Sequence, residues 1–236
     1  MRWNERKLAA VTAAVLSLLL GLSCASAAPS NDTQFYLLGG CAGLLALFVP
    51  ALLILKAFGA PGCLKKPALR PMVQMSLLGA ALTVPLTYAA EAWSSLLTLI
   101  GIAAPYMGQM PDVTDIPTAL SALLYVSVAS ALGEETLFRG LVQQKLLRRL
   151  PKAGLFIAAA LFGAAHLSLY AFLPTFLLGL AAGIVCRRHT LWTAAALHGT
   201  YNAAALLLQQ QPQTQLPLLV ISLAGFVLMG LTIKKD

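Results

Sequence analysis

Long runs with almost no charge recur along this chain, at 8–24, 35–55, 72–104, 116–137, 153–170, 171–185, 191–208 and 216–233. A helix needs about 20 consecutive apolar residues to cross a hydrocarbon core about 30 Å thick. Of the 236 residues, 59% are apolar and 10% are charged. Soluble domains carry about 45–50% and about 25%. Mean hydropathy is +0.81, which also excludes disorder, since disorder needs low hydrophobicity and high net charge. The expected fold is all-α, a polytopic transmembrane helical bundle of about eight spans. Residues 1–34 read as a basic start followed by a first transmembrane helix or a signal-like segment. Residues 35–236 read as the bundle, with no room for a separate soluble domain.

The net charge of +8 reads as topology rather than as a nucleic-acid surface, because the basic residues cluster between apolar runs. Arg2, Arg6 and Lys7 precede the first run, and Lys56, Lys65, Lys66 and Arg70 follow the second. Lys145, Arg148, Arg149 and Lys152 follow the fourth, Arg187 and Arg188 the sixth, and Lys234 and Lys235 the eighth. Basic residues concentrate on the cytoplasmic side. The expected location is therefore a cell membrane (a bacterial inner membrane), crossed several times, with both termini cytoplasmic when the first segment is retained. Cleavage after Ala27 in Ala25-Ser26-Ala27-Ala28-Pro29 would leave seven spans. The third run, too long for one simple crossing, reads as a crossing at 72–90 and an outer interfacial segment at 91–104. Glu91 is then a surface residue. Cys24, Cys41, Cys63 and Cys186 form no C-x-x-C pair and read as small buried apolar residues.

One stretch breaks the charge pattern: Gly133-Glu134-Glu135-Thr136-Leu137-Phe138-Arg139. The helix that holds it is expected from about Ile116 to Leu150. Glu135 lies ten residues before Lys145, about 15 Å along a helix, so both acids fall near mid-membrane. A carboxylate there costs roughly 2.5–3.5 kcal/mol. Glu135 and Arg139, four apart, share a helix face and could simply be an ion pair that locks the helix. That leaves Glu134, about 100° round the helix, without a use, and two adjacent acids at this depth favour function.

Two histidines also fall in apolar runs. His166 is fourteen residues beyond Lys152, about 21 Å by helix rise. His198 is ten beyond Arg188, about 15 Å in, and shares a face with Asn202. Gly163, Ala164, Ala165, Ala194, Ala195, Ala196 and Gly199 flank them, and small residues let membrane helices approach closely. The acids and imidazoles are expected to converge on one buried cavity. His189, in a basic turn, reads as interfacial.

In order, the motifs are Glu134-Glu135-x-x-x-Arg139, Phe162-x-x-x-His166 and His198-x-x-x-Asn202. Their order and residues resemble the CPBP intramembrane proteases, the family of CAAX prenyl endopeptidases and bacteriocin-processing enzymes. The resemblance covers about 116–208. It implies hydrolysis of a peptide bond in a membrane-associated or secreted peptide or protein. Glu134 would be the base that activates water, with Glu135, His166 and His198 completing the polar cluster. Asn202 would help hold the oxyanion, and Arg139 would orient the acids. A glutamate withdrawn from bulk water can take a proton, and imidazoles and an amide can stabilise a tetrahedral intermediate. Two readings of the cofactor stand: a divalent metal such as zinc on Glu135, His166 and His198, or none. The chain lacks H-E-x-x-H. Two rival classes are a proton-coupled carrier and a non-catalytic scaffold or immunity protein of the same family. The expected partners are a peptide or protein substrate and the bilayer, not nucleic acid. The substrate's identity, its cut site, its prenylation and the oligomeric state are not set by these residues.

Topology gives a direct test. A cysteine placed at Asp115 should react with an impermeant thiol reagent added from outside, and one at Lys66 should be spared. The reverse pattern would overturn the charge argument.

Overall fold

The computed structural model describes residues 5–58, 61–103 and 112–209. Within them the chain folds as seven helices and no strand. They are α1 (Glu5–Ser26), α2 (Asp32–Phe58), α3 (Leu69–Leu99), α4 (Ile116–Arg149), α5 (Gly154–Ala164), α6 (Leu169–Arg188) and α7 (Leu191–Gln209). Five of these, α1 to α4 and α6, are long and apolar enough to cross a membrane. The expected span at 216–233, with Lys234 and Lys235 behind it, lies outside the described residues, as does Arg2.

Side-chain caps start three of the helices. Asn31 accepts from Gln34 N–H at the head of α2, Asp115 from Thr118 N–H at 2.7 Å at the head of α4, and Ser168 from Ala171 N–H at the head of α6. Each satisfies a backbone donor that a first helical turn leaves unpaired. The hydrogen bonds from Thr118, side chain first and backbone second, hold the Asp115 carboxyl below its usual range.

Two expectations about the spans are corrected. The third run does not divide at Ala90. Instead α3 continues unbroken to Leu99 through Pro85 and Glu91, because nothing after Ala90 stops it until Gly101, which adopts a positive φ of 81°. Glu91 is exposed on it, as a surface residue should be. The fifth run does not stay helical to Tyr170. Its helix α5 ends at Ala164, and the chain reverses through Leu167, whose φ of 52° is left-handed. An L side chain seldom adopts that conformation, and Ser168 then caps α6. The cysteines also divide: Cys63 and Cys186 are buried, while Cys24 is half-buried and Cys41 exposed.

Small residues bring the helices together. α3 packs along α7, α1 on α2, α5 on α6, and α7 also lies against α4. A Cβ added at Gly79 of α3 would sit 2.0 Å from Leu197 O of α7, and one at Gly199 of α7 would sit 2.5 Å from Ser127 O of α4. Both contacts are with backbone oxygens, which cannot yield as a flexible side chain can. The core between them joins Leu55, Met75, Leu86, Leu178, Ala182, Leu191 and Leu197. Leucines 8, 16, 19, 20 and 22 of α1 stay more than half exposed, as a lipid-facing helix requires.

Gly199→Ala should lower the unfolding midpoint in detergent, by an overpacking cost of at least about 1–3 kcal/mol. Gly43→Ala, whose Cβ would meet nothing closer than 3.8 Å, should not. Equal midpoints for the two variants would show that α7 does not need that approach.

Candidate active site

α4 is not a uniform helix. Two π-helical stretches, Leu124–Ala129 and Thr136–Gln143, flank a short α-helical turn, Ser130–Glu135. π turns inside α-helices are rare and are frequent at functional sites. Glu134 and Glu135 end the short α turn. As adjacent helical residues they leave the helix about 100° apart, and the structure gives them different surroundings.

Glu135 is fully buried in a closed polar group. Arg139 Nε stands 2.9 Å from its Oε2, and Arg139 Nη2 donates to its Oε1 at 3.3 Å. His198 Nδ1 donates to the same Oε1 at 3.0 Å, reaching across from α7. Exposure is 0% for Glu135, 0% for Arg139 and 3% for His198. The guanidinium lies 4.7 Å over the Phe162 ring, a cation–π contact that supplies part of what water would give it. With Nδ1 on the carboxylate, Nε2 is the imidazole nitrogen left for a further partner. Gln143, also fully buried, ties α4 to α6 by donating from Nε2 to Gly183 O at 3.1 Å.

Glu134 has another setting. Its Oε1 accepts from Ser130 Oγ. It lines a cavity of about 430 Å³ together with Ser130 and Tyr125 of α4, Cys24, Ala25, Ala27 and Pro29 at and just past the end of α1, and a face of α2 that includes Leu38, Gly39, Ala42 and Gly43. One acid of the pair is therefore locked by a counter-charge, and the other opens to a space.

The second and third motifs reach this centre unequally. Phe162 is buried at its middle, edge-on to Phe138, His166 and His198 at centroid distances of 5.2, 5.1 and 5.7 Å. His166 lies past the end of α5, in the exposed turn, with Nδ1 3.0 Å from Phe162 O. No hydrogen bond or ion pair joins it to either glutamate. The expectation that His166 sits inside a helix beside the acids is corrected: α5 stops two residues short of it, and it meets the centre only through the Phe162 ring. Asn202 spends one amide N–H on Val126 O of α4, at 2.8 Å. Arg139 pairs with Glu135 alone, not with both acids. Ser130 and Gln143 are the participants that motif reading misses. For Ser130 the available signal is its place one turn before Glu134.

The proposed metal donors do not assemble. Among the described residues no three His, Cys, Asp or Glu side chains are grouped to hold a metal ion. Both oxygens of Glu135 are engaged by Arg139 and His198, and His166 turns to its own helix's carbonyl. Glu135, His166 and His198 as arranged here do not fit a zinc site.

Residues 116–204 match the family model described as Rce1-like, type II CAAX prenyl endopeptidase Rce1-like. The site-bearing segment is similar to that family. The matched segment runs from the start of α4 into the last turns of α7 and contains all three motifs. It supports the resemblance to CPBP-family intramembrane proteases. No curated protein and no solved structure matches the chain. The matched segment holds the buried Glu135–Arg139–His198 group, whereas α1 to α3 lie outside the match.

Arg139→Ala should cost about 3–5 kcal/mol of stability, the usual penalty for stripping one partner from a buried ion pair. Thermal unfolding of the purified protein in detergent measures it, and an unshifted midpoint would show that the pair holds nothing together.

Proposed function

We propose that this chain hydrolyses a peptide bond within the membrane, with Glu134 as the base. The Rce1-like core is that of a protease family. The observation that carries the finer reading is the division of the two acids. Glu135 is paired with Arg139 and His198, while Glu134 faces a cavity large enough for water and a substrate side chain.

In this mechanism a water in the cavity gives a proton to Glu134. The resulting hydroxide attacks the scissile carbonyl carbon, and the carbonyl oxygen becomes an oxyanion. His198, oriented by Glu135 and donating when its Nε2 also carries a proton, and the second amide N–H of Asn202 stabilise that oxyanion. Glu134 then returns its proton to the leaving nitrogen as the C–N bond breaks, releasing an acid and an amine. Glu135 and Arg139 serve as the rigid support of His198. His166 acts at the rim through Phe162. The substrate is a membrane-associated or secreted peptide or protein, and the working membrane is a cell membrane with the basic loops cytoplasmic.

The test is cleavage of a tagged peptide library by purified protein in liposomes. Glu134→Gln keeps the shape but cannot take a proton, and activity should fall at least about 10²-fold, the lower end of what a positioned base contributes. His189→Ala, at the exposed end of α6, should cleave like the wild type. Full hydrolysis by Glu134→Gln would remove Glu134 from the mechanism. Solute flux without any cleavage would favour the carrier.

A further inference from the structure

Hydroxyls within this chain's helices mostly donate to the carbonyl one turn behind. Thr87 bonds Thr83 O, Ser95 bonds Glu91 O, Thr98 bonds Ser94 O and Thr175 bonds Ala171 O. This back-bonding is the ordinary habit of Ser and Thr in helices. Ser130 does otherwise, and its Oγ donates forward to Glu134 Oε1. The reason lies in the π stretch before it. Ser130 N–H bonds Tyr125 O, five residues back. The carbonyl four back, Val126 O, accepts instead from Asn202 Nδ2 of α7. The hydroxyl turns towards the carboxylate instead of back to that carbonyl.

We infer that Ser130 is a positioning residue for Glu134, holding one carboxylate oxygen so that the other faces the cavity between α1, α2 and α4. This rests on Glu134 as the base of the proposed reaction. A glutamate side chain has three rotatable bonds, and pinning Oε1 removes orientations in which Oε2 misses the water. Alignment of a base with the proton it takes governs the chemical step rather than substrate capture. Both Ser130 and Glu134 are half-buried and line the same cavity, so loss of the hydroxyl leaves no sealed, unpaired donor and spares the fold. Asn202 enters the same chain of bonds. Its amide on Val126 O ties α7 to the π stretch that leads into Ser130.

The experiment measures kcat and KM in liposomes for the library peptide that the wild type cleaves fastest. Ser130→Ala should lower kcat about tenfold or more, the range for a hydrogen bond to a charged group, with KM unchanged. Ser130→Thr, which restores a hydroxyl, should recover most of the loss. Should the alanine variant not accumulate, Ser130→Cys, close in shape but a weak donor, should show the same fall in kcat. An alanine variant with wild-type kcat, a change confined to KM, or a threonine variant as slow as alanine would each overturn the assignment. Glu134→Gln in the same assay separates the two readings. If it is inactive while Ser130→Ala is wild type, only the role of Ser130 falls. If Glu134→Gln still cleaves, or the wild type cleaves nothing, the proposed function falls and this role with it.

Discussion

A carboxylate with no exposure to solvent is the constraint around which this bundle is arranged. Glu135 could not remain ionised there alone, because burying an isolated charge is far more costly than the few kcal/mol that stabilise a domain. Arg139 from its own helix and His198 from α7 supply the charge and the hydrogen bond, and the Phe162 ring covers the guanidinium. Those three groups come from α4, α5 and α7. Satisfying one acid therefore fixes how three helices meet. A buried pair of this kind is weak evidence for stability in itself, but it specifies an arrangement well, since every displaced alternative leaves a charge unpaired.

The π stretches of α4 are the backbone side of the same arrangement. A regular α-helix uses all its interior carbonyls on its own N–H groups. The wider turn at Leu124–Ala129 releases Val126 O for Asn202, and the close approach of Gly199 to Ser127 O brings α7 near enough to use it. His198 and Asn202, on one face of α7, then grip α4 one turn apart, the first through a side chain and the second through the main chain.

Much of this could be read from the residues. The helix expected from about Ile116 to Leu150 matches α4 almost to the residue, and the structure shows Asp115 capping it and Arg148 and Arg149 in its last turn. The depth and spacing of Glu135, Arg139 and His198 place them together, since mid-membrane charges have few alternatives. What the residues hide is what depends on backbone detail. The break at Leu167 is signalled only by Ser168, a capping residue inside an apolar run, so His166 reads as helical when it lies in a turn. The unbroken α3 is missed because length divides the run into a crossing at 72–90 and an interfacial segment after it, whereas the helix continues through both to Leu99 with no breaker at Ala90. The π stretches have no residue signature in this chain, and without them neither the partner of Asn202 nor the turn of Ser130 towards Glu134 can be foreseen.

The wall of the Glu134 cavity comes largely from α1 and α2, whereas the groups that would do chemistry lie in 116–204. Two parts of the chain thus carry separable duties. Exchanges at Ala25, Leu38 or Ala42 reshape the space in front of the acid without touching Glu135, Arg139 or His198. The first two helices are then free to diverge and reshape that space while the buried Glu135–Arg139–His198 group behind them stays as it is, so that the wall and the polar centre can change at different rates within one small protein.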